Sequence, residues 1–129
     1  MRVQHRILIV EDSSTIRQLL GFALKRIKGA EIVEANDGLE GLRRLTAEPF
    51  DIALVDLQMP VMDGLKLIQA IRAKPDFADM PIVVVTAESA QEERARALAL
   101  GANEYLTKPI QSNQVVAVVR GLLKIDPQE

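Results

Sequence analysis

The chain has 129 residues, 48% of them apolar and only 3% aromatic, so one domain whose core is built from Leu, Ile, Val and Ala is expected. Its 16 basic and 18 acidic residues leave a net charge of −2, which provides no basic footprint for nucleic acid and no attraction to an anionic membrane surface. With no cysteine present, disulfides, thiolate metal sites and thiol catalysis are excluded.

Met1 to Arg6 is short and polar and lacks the apolar stretch of a signal peptide; no apolar run approaches membrane-spanning length. A cytoplasmic protein is the expectation. Ile7–Val10 is an uninterrupted apolar run rich in β-branched residues, as a strand buried on both faces would be. His5 falls before this strand and reads as a solvated surface residue. After Ser13-Ser14, a helical period places Ile16, Leu19, Leu20, Ala23, Leu24 and Ile27 on one face. Glu31–Ala35 alternates as a half-exposed strand does.

Asp37 followed by Glu40 is a start signal of the capping-box kind. Ile52–Val55 is the next strand. Asp63-Gly64 opens a helix carrying Leu65, Ile68 and Ile71, which must stop near Lys74-Pro75; Ala73–Pro81 reads as a surface loop. Met59, Met62 and Met80 read as packing. Ile82–Val85 is a further β-branched run. Ser89 with Glu92 marks the fourth helix, which ends at Gly101, a natural position just past a helix. Glu104–Thr107 is a weaker strand. Ser112 is expected to cap a last helix with Val115, Val116, Val119 and Leu122 inward, ending before Pro127. Strand and helix thus alternate five times, which implies right-handed crossovers and a doubly wound parallel sheet covered on both faces. Residues 1–129 form one domain with its core at about 5–124 in this reading. The chain is either a complete protein or a domain bounded near Asp126-Pro127.

The polar residues directly after the apolar runs carry the chemistry. Glu11 and Asp12 come after Val10, Asp56 after Val55, Thr86 after Val85, and Lys108 after Leu106-Thr107. In a parallel sheet the C-terminal ends of all strands share one edge, where ligands bind at the topological switch point. Three carboxylates brought together repel unless a cation neutralises them. Oxygen ligands without His or Cys favour a hard ion such as Mg²⁺. A carboxylate nucleophile beside such an ion and a lysine is equipped for phosphoryl transfer. Taken singly, each residue is also an ordinary turn, cap or solvated side chain; their convergence on one edge is what points to a site.

These residues resemble the receiver domain of bacterial two-component response regulators, above all the single-domain chemotaxis response regulator. The likeness rests on Ile7–Asp12, Asp56–Gly64, Thr86-Ala87-Glu88 and Lys108-Pro109-Ile110, with Ser14-Thr15-Ile16-Arg17 adding to it. It implies a flavodoxin-like (βα)5 three-layer sandwich with strand order 2-1-3-4-5. It further implies that Asp56 is phosphorylated by a sensor histidine kinase, a histidine phosphotransfer protein or a small phosphodonor. Asp12, Asp56 and the backbone carbonyl of Gln58 would hold Mg²⁺, with Glu11 acting through water. Lys108 and Thr86 would contact the phosphoryl group. Tyr105 would move with Thr86 in a switch that reshapes the face of the fourth helix, fifth strand and last helix for a protein target. Lys108-Pro109 would be a cis peptide. A monomer or a phosphorylation-dependent dimer, a signalling switch rather than an enzyme, is the corresponding expectation. Glu11 departs from the aspartate frequent at its position, and Gln58 and Glu88 stand where relatives tune phosphoryl lifetime. A haloacid-dehalogenase-type hydrolase would need a second Asp where Gln58 stands. A nucleotide-binding fold would need glycines where Glu-Asp-Ser-Ser stands. A receiver retained only for docking is the remaining alternative.

Overall fold

The computed structural model describes residues 4–125; Asp126 and Pro127 lie outside that range. Five strands form one parallel sheet: β1 (His5–Val10), β2 (Ala30–Ala35), β3 (Ile52–Val55), β4 (Ile82–Thr86) and β5 (Glu104–Thr107). Their order is β2-β1-β3-β4-β5, as the resemblance implied. The helices are α1 (Ser14–Leu24), α2 (Gly38–Ala47), α3 (Gly64–Arg72), α4 (Gln91–Leu100) and α5 (Ser112–Leu123). No helix among the described residues is long and apolar enough to cross a membrane.

The pleat divides the core in two. Leu8, Val10, Ala53, Val55, Ile82 and Val84 face α2, α3 and α4, where Leu45, Leu67, Ile68, Ile71 and Ala97 meet them. Their neighbours Ile7, Ile9, Ile52, Leu54, Val83 and Val85 face α1 and α5, against Leu20, Leu24, Val115 and Val119. This two-sided burial explains why the central strands read as continuous apolar runs rather than alternating ones. β2 is an edge strand, and both Ile32 and Val33 are half-buried on opposite faces, so the simple alternation expected there does not hold.

Several helix signals act as expected. Asp37 caps α2 by accepting from Glu40 N–H at 2.8 Å, while the Glu40 carboxylate accepts from Asn36 N–H at 2.9 Å. Asp63 caps α3 through Lys66 N–H at 2.9 Å, and Gly101 ends α4 at φ 121°. Others are corrected. Ser89 is not the cap of α4. The Glu88 carboxylate instead takes Ala90 N–H at 2.9 Å, Ala90 occupies the cap position, and the helix starts at Gln91. Ser112 is the first residue of α5 rather than its cap, because Gln111 holds the extended backbone (φ −112°, ψ 110°) that precedes the helix.

Leu19 is 50% exposed, because α1 turns only a narrow arc toward the sheet and α5. Ile27 is buried as expected, but it lies in the turn beyond the helix. His5 is not in a tail before the first strand: it opens β1 and is half-buried, since its N–H donates to Gly29 carbonyl at 2.9 Å.

Ala73–Pro81 is more than a surface loop. A 3-10 turn over Pro75–Phe77 drives Phe77 and Met80 into the core beneath α3. Arg72 organises this corner. Its guanidinium donates twice to Gly101 carbonyl (3.1 and 2.8 Å), to Phe77 carbonyl (2.8 Å) and to Asn103 Oδ1 (3.1 Å). Asn103 Oδ1 also accepts from Ile82 N–H at 2.8 Å, so the end of α3, the turn and the start of β4 and β5 share one polar node. Burial pushes the Arg72 pKa down, with the charge of Asp79 opposing. Removing the guanidinium leaves Gly101 and Phe77 carbonyls short of partners. Arg72→Ala is therefore expected to lower unfolding free energy by about 2–3 kcal/mol, read from the urea midpoint at unchanged slope.

Candidate functional site

Strand register assembles the site. Val10 pairs with Val55 across β1 and β3, so Glu11 and Asp56 emerge side by side at the same edge. The ladders run one residue past the strands: Glu11 N–H donates to Ala35 carbonyl (3.1 Å), Asp56 N–H to Val10 carbonyl (3.1 Å) and Lys108 N–H to Thr86 carbonyl (2.8 Å). The backbones carrying the polar groups are thereby as rigid as the sheet. Among the described residues, Glu11, Asp56 and Thr86 are the buried polar and charged ones, at 1%, 4% and 0% exposure, and Asp12 stands exposed at the mouth.

Lys108 Nζ donates to Glu11 Oε1 at 2.7 Å and to Asp56 Oδ2 at 3.1 Å. The other carboxylate oxygens accept backbone N–H groups, Glu11 Oε2 from Ser13 and Asp56 Oδ1 from Gln58, both at 3.1 Å. Gln58 itself is exposed in the loop after β3. Glu11 thus touches Lys108 directly. Arg17, noted in the sequence only as part of a family likeness, donates to Glu11 carbonyl at 2.7 Å and to Glu34 Oε1 at 3.0 Å, tying α1 to the pocket backbone.

Electrostatics reflect burial and pairing. Burial pushes the Glu11 carboxyl above its ordinary 4.5; the bonds from Lys108 and Ser13 oppose this, and the Asp56 charge adds to it. Burial alone would push Lys108 down, but its bonds to Glu11 and Asp56 and their charges outweigh that, raising it above 10.5. Glu11, Asp12 and Asp56 each present an oxygen within 4.8 Å of the others. This all-oxygen, anionic donor set fits a hard divalent cation, and the excess of carboxylates over the one lysine makes such a charge electrostatically welcome.

Gly64, read from sequence only as a helix opener, is a close-approach residue. A Cβ there would stand 2.3 Å from Asp56 carbonyl and 2.6 Å from Leu57 Cα. The loop over the pocket also turns at Val61 (φ 71°), with Met62 N–H bonded to Pro60 carbonyl at 2.8 Å, a conformation β-branched residues rarely adopt. Nothing in the residue type of Val61 signals it. His5 lies at the other end of β1 and takes no part.

Thr86 and Tyr105 are linked through one residue. Thr86 Oγ1 accepts from Glu88 N–H at 3.2 Å, and the Tyr105 hydroxyl donates to Glu88 carbonyl at 2.6 Å. The Tyr105 ring is buried among the residues facing α2–α4. Its pKa is raised by burial and by Glu88 and Glu93, with Arg94 opposing. The Lys108-Pro109 bond is cis.

Comparison with known proteins decides the family. The response regulator receiver domain pattern matches residues 7–120. The chain belongs to the response regulator receiver domain family. This receiver is 38% identical over 105 residues to a chemotaxis protein CheY homolog of Campylobacter jejuni, covering 81% of each chain. It is 38% identical over 119 residues to the transcriptional regulatory protein PrrA of Mycobacterium bovis, covering 92% of this chain but 50% of that one. The receiver thus spans about half the length of that relative. Among solved structures, chemotaxis protein CheY4 of Vibrio cholerae superposes with TM-score 0.87 at 30% identity, covering 93% of this chain and 99% of that one. A response regulator from Chloroflexus aurantiacus gives TM-score 0.89 at 30% identity, with 95% and 99% covered. The fold and the two-component family read from the sequence therefore both hold.

The raised Lys108 pKa has a defined consequence for stability. A cation whose folded pKa lies above its unfolded one stabilises fully below the unfolded value and loses this as pH rises through the folded one. Lys108→Met is expected to lose about 3 kcal/mol at neutral pH, and to lack the part of the alkaline fall above the ordinary lysine range that wild type shows. Chemical denaturation of both proteins across that range checks it.

Proposed function

We propose that Asp56 is the phosphoacceptor of a two-component signalling switch. The observation that carries this reading is a buried carboxylate at a strand end, bonded to Lys108 and within reach of Glu11 and Asp12. An Asp56 carboxylate oxygen attacks phosphorus as the bond to the donor breaks; with a phosphohistidine donor this is the P–N bond, and the imidazole leaves with a proton. The donor is a sensor histidine kinase, a histidine phosphotransfer protein or a small acyl phosphate. Lys108 exchanges part of its bonding from Asp56 to the phosphoryl oxygens, and the Thr86 hydroxyl donates to them. Asp12, Asp56 and the Gln58 backbone carbonyl would hold Mg²⁺, with Glu11 acting through water. When bound, the ion neutralises charge that builds on the transferring group.

The phosphoryl group adds nearly two negative charges and acceptor oxygens, enough to bias a bistable element. Thr86 drawn toward it shifts the Glu88 backbone that Tyr105 also holds, so the signal reaches the face of α4, β5 and α5, where a protein target docks. In this reading residues 1–129 are one cytoplasmic receiver domain, monomeric or dimerising on phosphorylation, that contacts neither nucleic acid nor membrane directly. It assists only its own phosphorylation and dephosphorylation. Gln58, standing where a hydrolase of the haloacid dehalogenase type needs its acid, disfavours that rival.

Incubation with Mg²⁺ and acetyl phosphate is expected to add one phosphoryl group by intact-mass spectrometry, labile to hydroxylamine. Asp56→Asn, or excess EDTA with the wild-type chain, should reduce this to background. Modification of the Asp56→Asn chain to the same extent as wild type would sink the proposal.

A further inference from the structure

Beyond the pocket, one cation stands out on α4. Arg94 Cζ lies 5.5 Å from the centroid of the Tyr105 ring, and Nη1 lies 3.5 Å from the Tyr105 carbonyl, a weak second contact. Arg96, on the same helix, pairs with Glu93 at 3.3 Å, whereas Arg94 forms no salt bridge among the described residues. Its charge is therefore directed at the ring face.

The attachment of α4 makes this contact consequential. Ala97 is its one buried residue, and its N-terminal end has no side-chain cap. One fully buried side chain thus anchors this helix. The Tyr105 ring is held inward by burial, by the hydroxyl bond to Glu88 carbonyl and by the Arg94 guanidinium above it. Turning the ring outward would break the bond and the stack together.

We propose that Arg94 is a positioning residue that latches Tyr105 inward, so that the switch position depends on α4 as well as on the phosphoryl pocket. The effect on ring position stands on the contact itself; its regulatory meaning rests on the reading of Thr86 and Tyr105 as a switch. A partner that engages Arg94 would release the ring, and one that orders α4 would hold it.

The chain has one tyrosine and no tryptophan, so intrinsic fluorescence reports on Tyr105 alone. Acrylamide quenching of the full chain is expected to rise about two-fold or more in Arg94→Gln, as the inward population falls by the few-fold that an exposed cation–π contact supports. Arg94→Lys, which keeps the charge without the planar face, should fall between. Arg96→Gln, an equal charge change on the same helix, should match wild type. Unchanged far-UV circular dichroism identifies variants that retain the fold, and Arg94→Lys serves alone if Arg94→Gln does not. Equal quenching in wild type and the Arg94 variants, or an equal rise in Arg96→Gln, overturns the latch. Failure of acetyl phosphate to modify Asp56 would overturn the receiver chemistry while leaving the quenching result intact.

Discussion

Two buried carboxylates share one lysine, and much of the architecture is arranged around that fact. Glu11 and Asp56 lie on adjacent strands with little access to water, and Lys108 reaches both from beyond β5, across sequence separations of 97 and 52 residues. Withdrawing such charges from water is expensive unless each oxygen finds a donor. Here each carboxylate has the ammonium on one side and a backbone N–H on the other. The residual excess of negative charge is not relieved by the protein itself. The anionic donor set that results fits a hard cation.

Rigidity and freedom are distributed accordingly. The strand ends that carry Glu11, Asp56 and Lys108 are held by continuing ladder bonds, so these side chains project from the sheet itself. The loop from β4 to α4 is different. Glu88 offers its N–H to Thr86, its carbonyl to Tyr105 and its carboxylate to Ala90, so one residue joins the pocket, the aromatic side chain and the helix entrance. A displacement of Thr86 would act on Tyr105 and α4 through this one residue, whose N–H and carbonyl belong to adjoining peptide groups. That connection supplies a physical route from pocket to surface without invoking motion elsewhere in the core.

Much of this was legible in the amino-acid order, and the reasons differ by element. Runs such as Ile7–Val10 and Ile82–Val85 announce doubly buried strands because only a covered parallel sheet hides both sides of a strand. Asp37 and Asp63 announce helix starts because a short carboxylate satisfies free N–H groups within three residues. Ser89 and Ser112 carried the same signal and did not act on it. At Ser89 the Glu88 carboxylate takes Ala90 N–H and shifts the start of the helix, and at Ser112 the extended backbone of Gln111 makes the serine the first helical residue. Leu19, on the expected buried stripe, is exposed because the width of the buried arc belongs to the partners of α1 and not to α1 itself. Phe77 shows the reverse, an apolar loop residue claimed by the core, while Met80 packs there as its residue type suggested.

By itself the sequence determined the alternation of strands and helices and the polar residue at the end of each strand. Both depend on neighbours within a turn or two, where spacing along the chain equals spacing in space. Only the tertiary structure decided which of those polar groups touch. Lys108 on Glu11 at 2.7 Å, Glu88 between Thr86 and Tyr105, and Arg94 over the Tyr105 ring are contacts between separate elements. They come from strand register and helix placement, which long-range burial selects and which no single segment can specify.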